Sequence, residues 1–321
     1  MNSDSIHSQP SDGRVADATT GNWVDRLAPE FSRPYLRLSR ADRPIGTWLL
    51  LIPCWWAIFV AAMADPDGLG LWDAWLFLGC GIGAFLMRGA GCTWNDLTDQ
   101  DFDAKVARTR SRPLPSGQVS PKQAFAWMCI QSLIAFCILL TFPAAAIWLG
   151  VLSLGLVAIY PFAKRFTWWP QIFLGLAFNW GAFLAYAAHD GTLGWPAPAL
   201  YLAGIAWTLF YDTVYAHQDK EDDALIGVKS TARLFAEKTK AWLLGFQILA
   251  TAMLTLAVFL TGTTPLSMGI ALIGVAGFFL HLSWQLRTLD MDNPDNCLML
   301  FRANRDPGLI AMLGFFLAAL V

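Results

Sequence analysis

Charge is what this chain of 321 residues has least of. Asp, Glu, Lys and Arg together make up 14% of it, against roughly a quarter in an ordinary soluble domain. A water-facing surface needs charge to stay dispersed, so the deficit excludes a disordered chain and argues against a soluble globular enzyme. Histidine is scarce, with four in all. His7 lies in the N-terminal tail, His189 at a helix end and His281 alone in a hydrophobic run; only His217 sits in a polar cluster. The six cysteines, Cys54, Cys80, Cys92, Cys129, Cys137 and Cys297, include no C-x-x-C spacing. All but Cys297 fall in hydrophobic runs, where cysteine acts as a small apolar residue, so neither a disulfide framework nor a zinc site is expected. The N-terminal segment lacks the basic start and apolar core of a cleaved signal peptide. There is no basic surplus either: 22 Lys and Arg stand against 24 Asp and Glu, a net charge of −2, and no nucleic-acid partner is expected.

What the chain has in abundance is apolar sequence, 56% of its residues. A helix rises 1.5 Å per residue, so about 20 apolar residues cross a hydrocarbon core of about 30 Å. Nine runs satisfy that length approximately: Ile45–Ala64, Trp72–Trp94, Ala124–Thr141, Ala144–Phe162, Trp168–Ala188, Ala199–Tyr215, Ala241–Leu260, Leu266–Leu286 and the shorter Leu309–Val321. The runs are unbroken, whereas a transmembrane strand alternates apolar and polar residues. The expectation is an all-α polytopic membrane protein with nine transmembrane helices. Residues 1–30 read as a flexible polar tail and 31–321 as the intramembrane domain. Phe31–Arg43 sets Phe31, Tyr35, Leu36 and Leu38 among Arg33, Arg37, Arg40 and Arg43, a pattern for a helix in the membrane interface or for a juxtamembrane linker.

The few basic residues are partitioned. Six precede the first run, and Lys105, Arg108, Arg110, Arg112 and Lys122 lie between the second and third. Lys164 and Arg165 follow the fourth, Lys220, Lys229, Arg233, Lys238 and Lys240 follow the sixth, and Arg287, Arg302 and Arg305 follow the eighth. The alternate loops, Asp65–Leu71, Phe142–Pro143, His189–Pro198 and Thr261–Pro265, carry none. Cytoplasmic loops hold the excess of Lys and Arg, so the N-terminus is expected in the cytoplasm and the C-terminus outside. Arg88 alone lies inside a run, and the carboxylates two turns along the same helix are its candidate partners.

Two runs end in acid. The second leads into Asn95-Asp96-Leu97-Thr98-Asp99-Gln100-Asp101-Phe102-Asp103, and the sixth into Asp212 and then His217-Gln218-Asp219-Lys220-Glu221-Asp222-Asp223. At about 100° per residue, Asn95, Asp96, Asp99 and Asp103 share an arc of roughly 100°, and Asp212, Asp219 and Asp223 one of about 40°, provided the helices run on. A solvated acidic loop is the plain alternative, but it does not explain two such clusters at matching ends of two runs. Converging carboxylates need a cation, and a few hard oxygen ligands suit Mg2+, which keeps waters and bridges to phosphates. Arg108, Arg110 and Arg112 after the first cluster, and Lys229-Ser230-Thr231 after the second, fit a diphosphate. They equally fit plain topology signals.

These motifs resemble those of the UbiA superfamily of intramembrane prenyltransferases. The resemblance lies in N-D-x-x-D-x-x-x-D at Asn95, Asp96, Asp99 and Asp103, and in D-x-x-Y-A-x-x-D-x-x-x-D at Asp212, Tyr215, Ala216, Asp219 and Asp223, followed by Gly227-Val228-Lys229-Ser230-Thr231. Arg108-Thr109-Arg110-Ser111-Arg112-Pro113-Leu114 and Tyr160-Pro161-Phe162-Ala163-Lys164-Arg165 carry it further. It implies helices around a central apolar chamber and transfer of a polyprenyl group from a polyprenyl diphosphate to an aromatic ring. Mg2+ would be held by Asp96, Asp99, Asp103, Asp212, Asp219 and Asp223. Asn95, Arg108, Arg112 and Lys229 would serve the diphosphate, and Arg43, Tyr160 and Lys164 the aromatic acid. The Tyr215-Ala216 motif is most similar to that of members acting on 4-hydroxybenzoate in ubiquinone biosynthesis. Homogentisate, dihydroxynaphthoate, haem and chlorophyllide are the other acceptors in the superfamily. A prenyl diphosphatase and a cation-coupled transporter are the rival classes. The expected location is a bacterial inner (cytoplasmic) membrane, with the site facing the cytoplasm.

Overall fold

The computed structural model describes Val15 and residues 18–104 and 109–321, with the side chains of 101, 102, 222, 223 and 226 outside the description. Among the described residues every regular element is a helix. Contacts divide the chain into two units, one of Met1–Gly46 with Phe85–Ile134, the other of Thr47–Ala84 with Ala135–Val321.

The first unit begins with α1 (Trp23–Leu27) and α2 (Arg33–Leu38). Asn22 caps α1, its side chain accepting from the Asp25 amide at 3.1 Å. The Trp23 indole donates to the Ala41 carbonyl at 3.0 Å, and Val24, Ala28 and Ala41 bury together against Leu36. Helix α1 thus lies within the segment assigned to the polar tail. α2 closes with two reverse bonds, Arg40 N–H to Arg37 C=O and Ala41 N–H to Leu36 C=O, both 3.0 Å. That pair is the Schellman closure, whose residue after the cap is left-handed and usually glycine. Here it is Arg40, at φ +59°. Leu38, Leu114, Val119 and Ala124 form the core of this unit, with Tyr35, Leu97 and Trp127 against it.

Three long helices run from one unit into the other: α3 (Ile45–Ala64), α4 (Leu71–Thr98) and, after the short α5 (Gln100–Asp103), α6 (Pro121–Leu139). The second unit continues with α7 (Ala144–Ile159), α8 (Ala163–Phe166), α9 (Pro170–Asn179), α10 (Gly181–Asp190) and α11 (Pro196–Ala216). It ends with α12 (Lys220–Ile226), α13 (Thr231–Phe235), α14 (Thr239–Leu260), α15 (Pro265–Thr288), α16 (Pro294–Ala303) and α17 (Arg305–Ala318). Helix α11 is its axis, packed by α9, α10, α14 and α16. The aromatic core is Trp56, Trp207, Phe278 and Phe315, with the Trp56 and Trp207 rings 5.1 Å apart. Their polar edges are satisfied: Trp56 donates to the Gly308 carbonyl at 2.8 Å and Trp207 to Asn304 Oδ1 at 2.9 Å.

Seven segments of the described chain are long and apolar enough to cross a membrane: Ile45–Ala64, Leu71–Thr98, Pro121–Leu139, Ala144–Phe166, Pro170–Asp190, Thr231–Leu260 and Pro265–Thr288. Their outer faces carry bare Leu133, Trp148, Leu152, Phe259, Ile273 and Leu280, apolar surface that water does not tolerate over such an extent. Two of the nine expected spans are not among the seven, and each falls short for its own reason. Helix α17 has 14 residues, about 21 Å at 1.5 Å per residue. Helix α11 has the length, 21 residues, but it carries Tyr201, Thr208, Tyr211, Asp212 and Thr213 among its apolar residues. Most of it is buried in protein, and a helix so covered needs no lipid-facing surface.

Candidate functional site

The first acidic motif occupies the end of α4 and all of α5. Although α4 stops at Thr98, the backbone bonds continue in helical register: Asp99 N–H to Asn95 C=O at 3.0 Å and Asp103 N–H to Asp99 C=O at 2.9 Å. The three- and four-residue spacings therefore hold through the bend. Asp96, Asp99 and Asp103 lie on one buried face, the first two fully enclosed. Buried anions are costly unless paired, and two arginines pair Asp96 and Asp103. Arg40 grips Asp96 with both terminal nitrogens, Nη1 to Oδ2 at 2.9 Å and Nη2 to Oδ1 at 2.5 Å. Arg112 Nη1 spans two carboxylates, 2.8 Å from Asp103 Oδ2 and 3.3 Å from Asp96 Oδ1. Thr109 Oγ1 ties the returning chain to the Asp103 carbonyl at 2.8 Å.

The electrostatics show how crowded this anionic face is. Burial pushes the Asp103 carboxyl above the usual aspartate range, and the neighbouring Asp96 and Asp99 add to the rise against the opposing pull of Arg112. Burial works against the Arg40 charge, yet Asp96 outweighs it and lifts the guanidinium further above its ordinary value. Asp42, buried beside Arg43 with Nε at 3.3 Å, is pushed up to about 6, chiefly by burial and against the pull of Arg40. Arg43 is nearly enclosed. The Arg88 guanidinium lies over Gly46, where any side chain would collide with it.

The second motif belongs to the other unit. Helix α11 carries Asp212 and Tyr215, but His217–Asp219 forms a 3-10 turn before α12 begins. That turn winds about 20° more per residue than an α-helix. Asp219 is thereby rotated roughly 60° from the position an unbroken helix would give it, and the arc expected for Asp212, Asp219 and Asp223 widens from about 40° to roughly 80°. Asp212 and Asp219 are half-buried, and the Asp223 side chain lies outside the description. Tyr215 stacks obliquely on Phe301 at 4.4 Å. Thr213 and Thr231 share a 2.7 Å hydroxyl bond, which ties α13 back to α11. His217 is lowered to about 4 by burial and by Lys220, so it is neutral at neutral pH.

Basic candidates meet here too. The Lys229 amide donates to the Lys164 carbonyl at 3.5 Å, bringing the chain after α12 alongside α8. The Lys229 ammonium reaches the Phe166 carbonyl at 3.5 Å and lies 6.0 Å from the Trp168 ring centre. Tyr160 stands in the 3-10 turn Tyr160–Phe162 just before α8. Arg108 lies outside the described residues.

The structure thus joins Asp96, Asp99, Asp103 and Arg112 in one cluster, and Lys164 with Lys229 in another. It also adds a residue the motif reading passed over, Arg40. The only sequence signal for it is the charge run Arg40-Ala41-Asp42-Arg43 before Pro44, which otherwise reads as interface decoration. Among the described residues no three His, Cys, Asp or Glu side chains converge closely enough to hold an ion by themselves. Mg2+ does not need that many, since it keeps waters and takes phosphate oxygens into its shell. The hard oxygen donors and the crowded, elevated Asp103 fit such an ion.

Fold and site together define a polytopic helical membrane protein with carboxylate–guanidinium clusters at its helix ends. The model of the UbiA prenyltransferase family matches residues 50–318, and the chain belongs to that family. It is 48% identical over 300 residues to the mitochondrial 4-hydroxybenzoate polyprenyltransferase of Bos taurus, covering 92% of this chain and 78% of that one. To the mitochondrial 4-hydroxybenzoate polyprenyltransferase of Homo sapiens it is 47% identical over 312 residues, 96% of this chain and 81% of the other. Among solved structures, the apo UbiA homolog from Aeropyrum pernix K1 superposes with a TM-score of 0.68 at 22% identity, over 84% of this chain and 97% of that one. A UbiA homolog from Archaeoglobus fulgidus bound to GPP and Mg2+ gives 0.65 at 16%, over 90% and 100%.

Proposed function

We propose that this protein transfers a polyprenyl group from a polyprenyl diphosphate to the ring of 4-hydroxybenzoate, ortho to the hydroxyl, in ubiquinone biosynthesis. The observation that carries the reading is the buried first motif with its arginine counter-ions, in a chain nearly half identical to proteins of that name. The allylic carbon–oxygen bond breaks, diphosphate leaves with the electron pair, a carbon–carbon bond forms and the ring proton departs. Mg2+, when bound, supplies Lewis-acid stabilisation of the leaving charge. One archaeal relative was solved with GPP and Mg2+, which supports that choice of ion.

In this proposal Asp99 and Asp103 of the first motif and Asp212, Asp219 and Asp223 of the second hold the metal, Asp96 of the expected ligand set being engaged by Arg40 and Arg112, and Asn95 serves the diphosphate. Arg108, Arg112 and Lys229 share the diphosphate charge, and Arg43, Tyr160 and Lys164 receive the aromatic acid. Residues 31–321 are the catalytic domain and 1–30 a polar tail. An apolar chamber keeps water from the carbocation. Nine crossings with the basic loops on the site's side remain the proposed topology. α11 is shielded by neighbouring helices, and the basic partition needs it as a crossing; α17 lies beyond the basic loops, Arg305 being the last basic residue. The relatives' names place them in mitochondria, so they lend no support to a bacterial inner membrane, and the proposed location is an integral membrane.

Purified protein in detergent, given Mg2+, a polyprenyl diphosphate and 4-hydroxybenzoate, should release diphosphate and prenylated acid in equal amounts. Diphosphate without prenylated ring would mean a diphosphatase. Preference for homogentisate or dihydroxynaphthoate would move the acceptor.

A further inference from the structure

We infer that Asp96 is not a metal ligand but the buried anchor of Arg40 and Arg112, and that Arg40 is a positioning residue of this site. The inference deepens the proposed function and rests on it for the identity of the diphosphate substrate. Three observations converge. Asp96 is wholly enclosed, and both of its oxygens are taken by guanidinium nitrogens, Oδ2 by Arg40 and Oδ1 by Arg40 and Arg112. A bidentate fork of this kind is planar and directional, so it fixes the arginine as firmly as the acid. The arginine is then held where a backbone conformation favours another residue. Position 40 follows the cap of α2 in a left-handed turn at φ +59°, closed by the bonds from Arg40 N–H and Ala41 N–H. Glycine suits such a turn without strain. Arginine there is justified by its side chain, which turns back into the Asp96 carboxylate. Lastly, Arg112 uses one nitrogen for both Asp96 and Asp103. Asp96 therefore sets the direction of a cation proposed to meet the diphosphate, while Asp103 stays tethered to the same hand.

The chemistry separates the two roles. A carboxylate that gives its lone pairs to two guanidinium groups has little to offer a divalent ion. Removing its charge would disorder the arginines rather than empty the metal site.

The test uses the full chain in detergent, with Mn2+ and inorganic diphosphate followed by electron paramagnetic resonance, thermal unfolding in EDTA, and steady-state kinetics. Arg40→Gly suits the turn, so its effects report the lost guanidinium. It should raise KM for the prenyl diphosphate about tenfold or more and lower the unfolding temperature in EDTA, as expected for a partner that orients first-contact groups. Arg40→Lys, which keeps charge but not the fork, should recover only part of the KM. Asp96→Asn should hold Mn2+ within about threefold of the unaltered protein, whereas Asp99→Asn should lose it. If Asp96→Asn destabilises the fold by leaving Arg40 buried without its anion, the double variant with Arg40→Gly should regain unfolding temperature. Loss of Mn2+ binding in Asp96→Asn equal to that in Asp99→Asn would overturn the inference, as would unchanged KM and unfolding temperature in Arg40→Gly. The Mn2+ and thermal readouts do not depend on prenyl transfer, so an unaltered protein that fails to prenylate refutes the proposed function alone.

Discussion

At the scale of single residues, burial decides which charges are poised. Asp42 is 1% exposed, neither of its carboxylate oxygens accepts a hydrogen bond, and its pKa rises to about 6. The folded state therefore holds the Asp42 proton more tightly than the unfolded chain does. Its contribution to stability is full below about pH 4 and is lost as pH rises through 6, on the order of 3 kcal/mol at most. Unfolding temperature measured between pH 4 and 7 should thus fall less steeply in Asp42→Asn than in the unaltered protein. Equal slopes would show that Asp42 is not the group responsible. Asn304 makes the opposite case, a buried polar group that is fully used. Its amide donates to Gln285 Oε1 at 2.8 Å and to the Leu300 carbonyl at 2.9 Å, and its oxygen accepts from Trp207. Asn304→Leu would strand the Trp207 N–H and the Gln285 oxygen, and should cost about 1–3 kcal/mol for each group left unsatisfied, read as a lowered unfolding temperature in detergent.

At the scale of elements, α15 and α17 approach through small residues. A methyl group built on Gly314 would lie 2.7 Å from Gly274 Cα, and one on Gly274 would lie 2.8 Å from Gly314 Cα. Both obstacles are backbone and cannot turn aside. Ala271 and Ala311 complete the seam, fully buried, in the way membrane helices pack closely where lipid gives no hydrophobic push between them. Gly314→Val should force the helices apart at a cost of about 1–3 kcal/mol or more. Gly245, on the exposed face of α14 with nothing within 4 Å, is the contrast: Gly245→Ala should raise stability by ~0.5–1 kcal/mol through helix propensity. Thermal unfolding of both variants in one detergent checks the pair, and a harmless Gly314→Val would remove the close-packing account.

At the scale of the molecule, the partition of basic loops predicts sidedness. A cysteine introduced as Lys240→Cys, in the first turn of α14, should react with a membrane-impermeant maleimide only from the side of the basic loops. Asp67→Cys, in the turn between α3 and α4, should react only from the other side. Both positions are exposed, and the background needs Cys137→Ala, because Cys137 is the exposed thiol among the described cysteines. Labelling of both from one side would break the nine-span topology at α11, the helix between the two positions whose composition falls short.

The amino-acid sequence alone determined that this is a helical membrane protein, because hydropathy is summed along the chain and needs no partner. It also determined the two acidic motifs, because residue type and spacing are local. The register of Asp96, Asp99 and Asp103 was legible for the same reason: hydrogen bonds carry the helix through the bend at Asp99. The register of Asp212 and Asp219 was not, because a 3-10 turn tightens the chain between them. Only the tertiary structure could show that α11 is covered by its neighbours, that α15 and α17 touch backbone to backbone, and that Arg40 turns back through 56 positions of sequence to close on Asp96. Each of these depends on which distant segments come to share a low-dielectric space. There an unpaired charge or an added methyl group becomes expensive, and no local pattern records it.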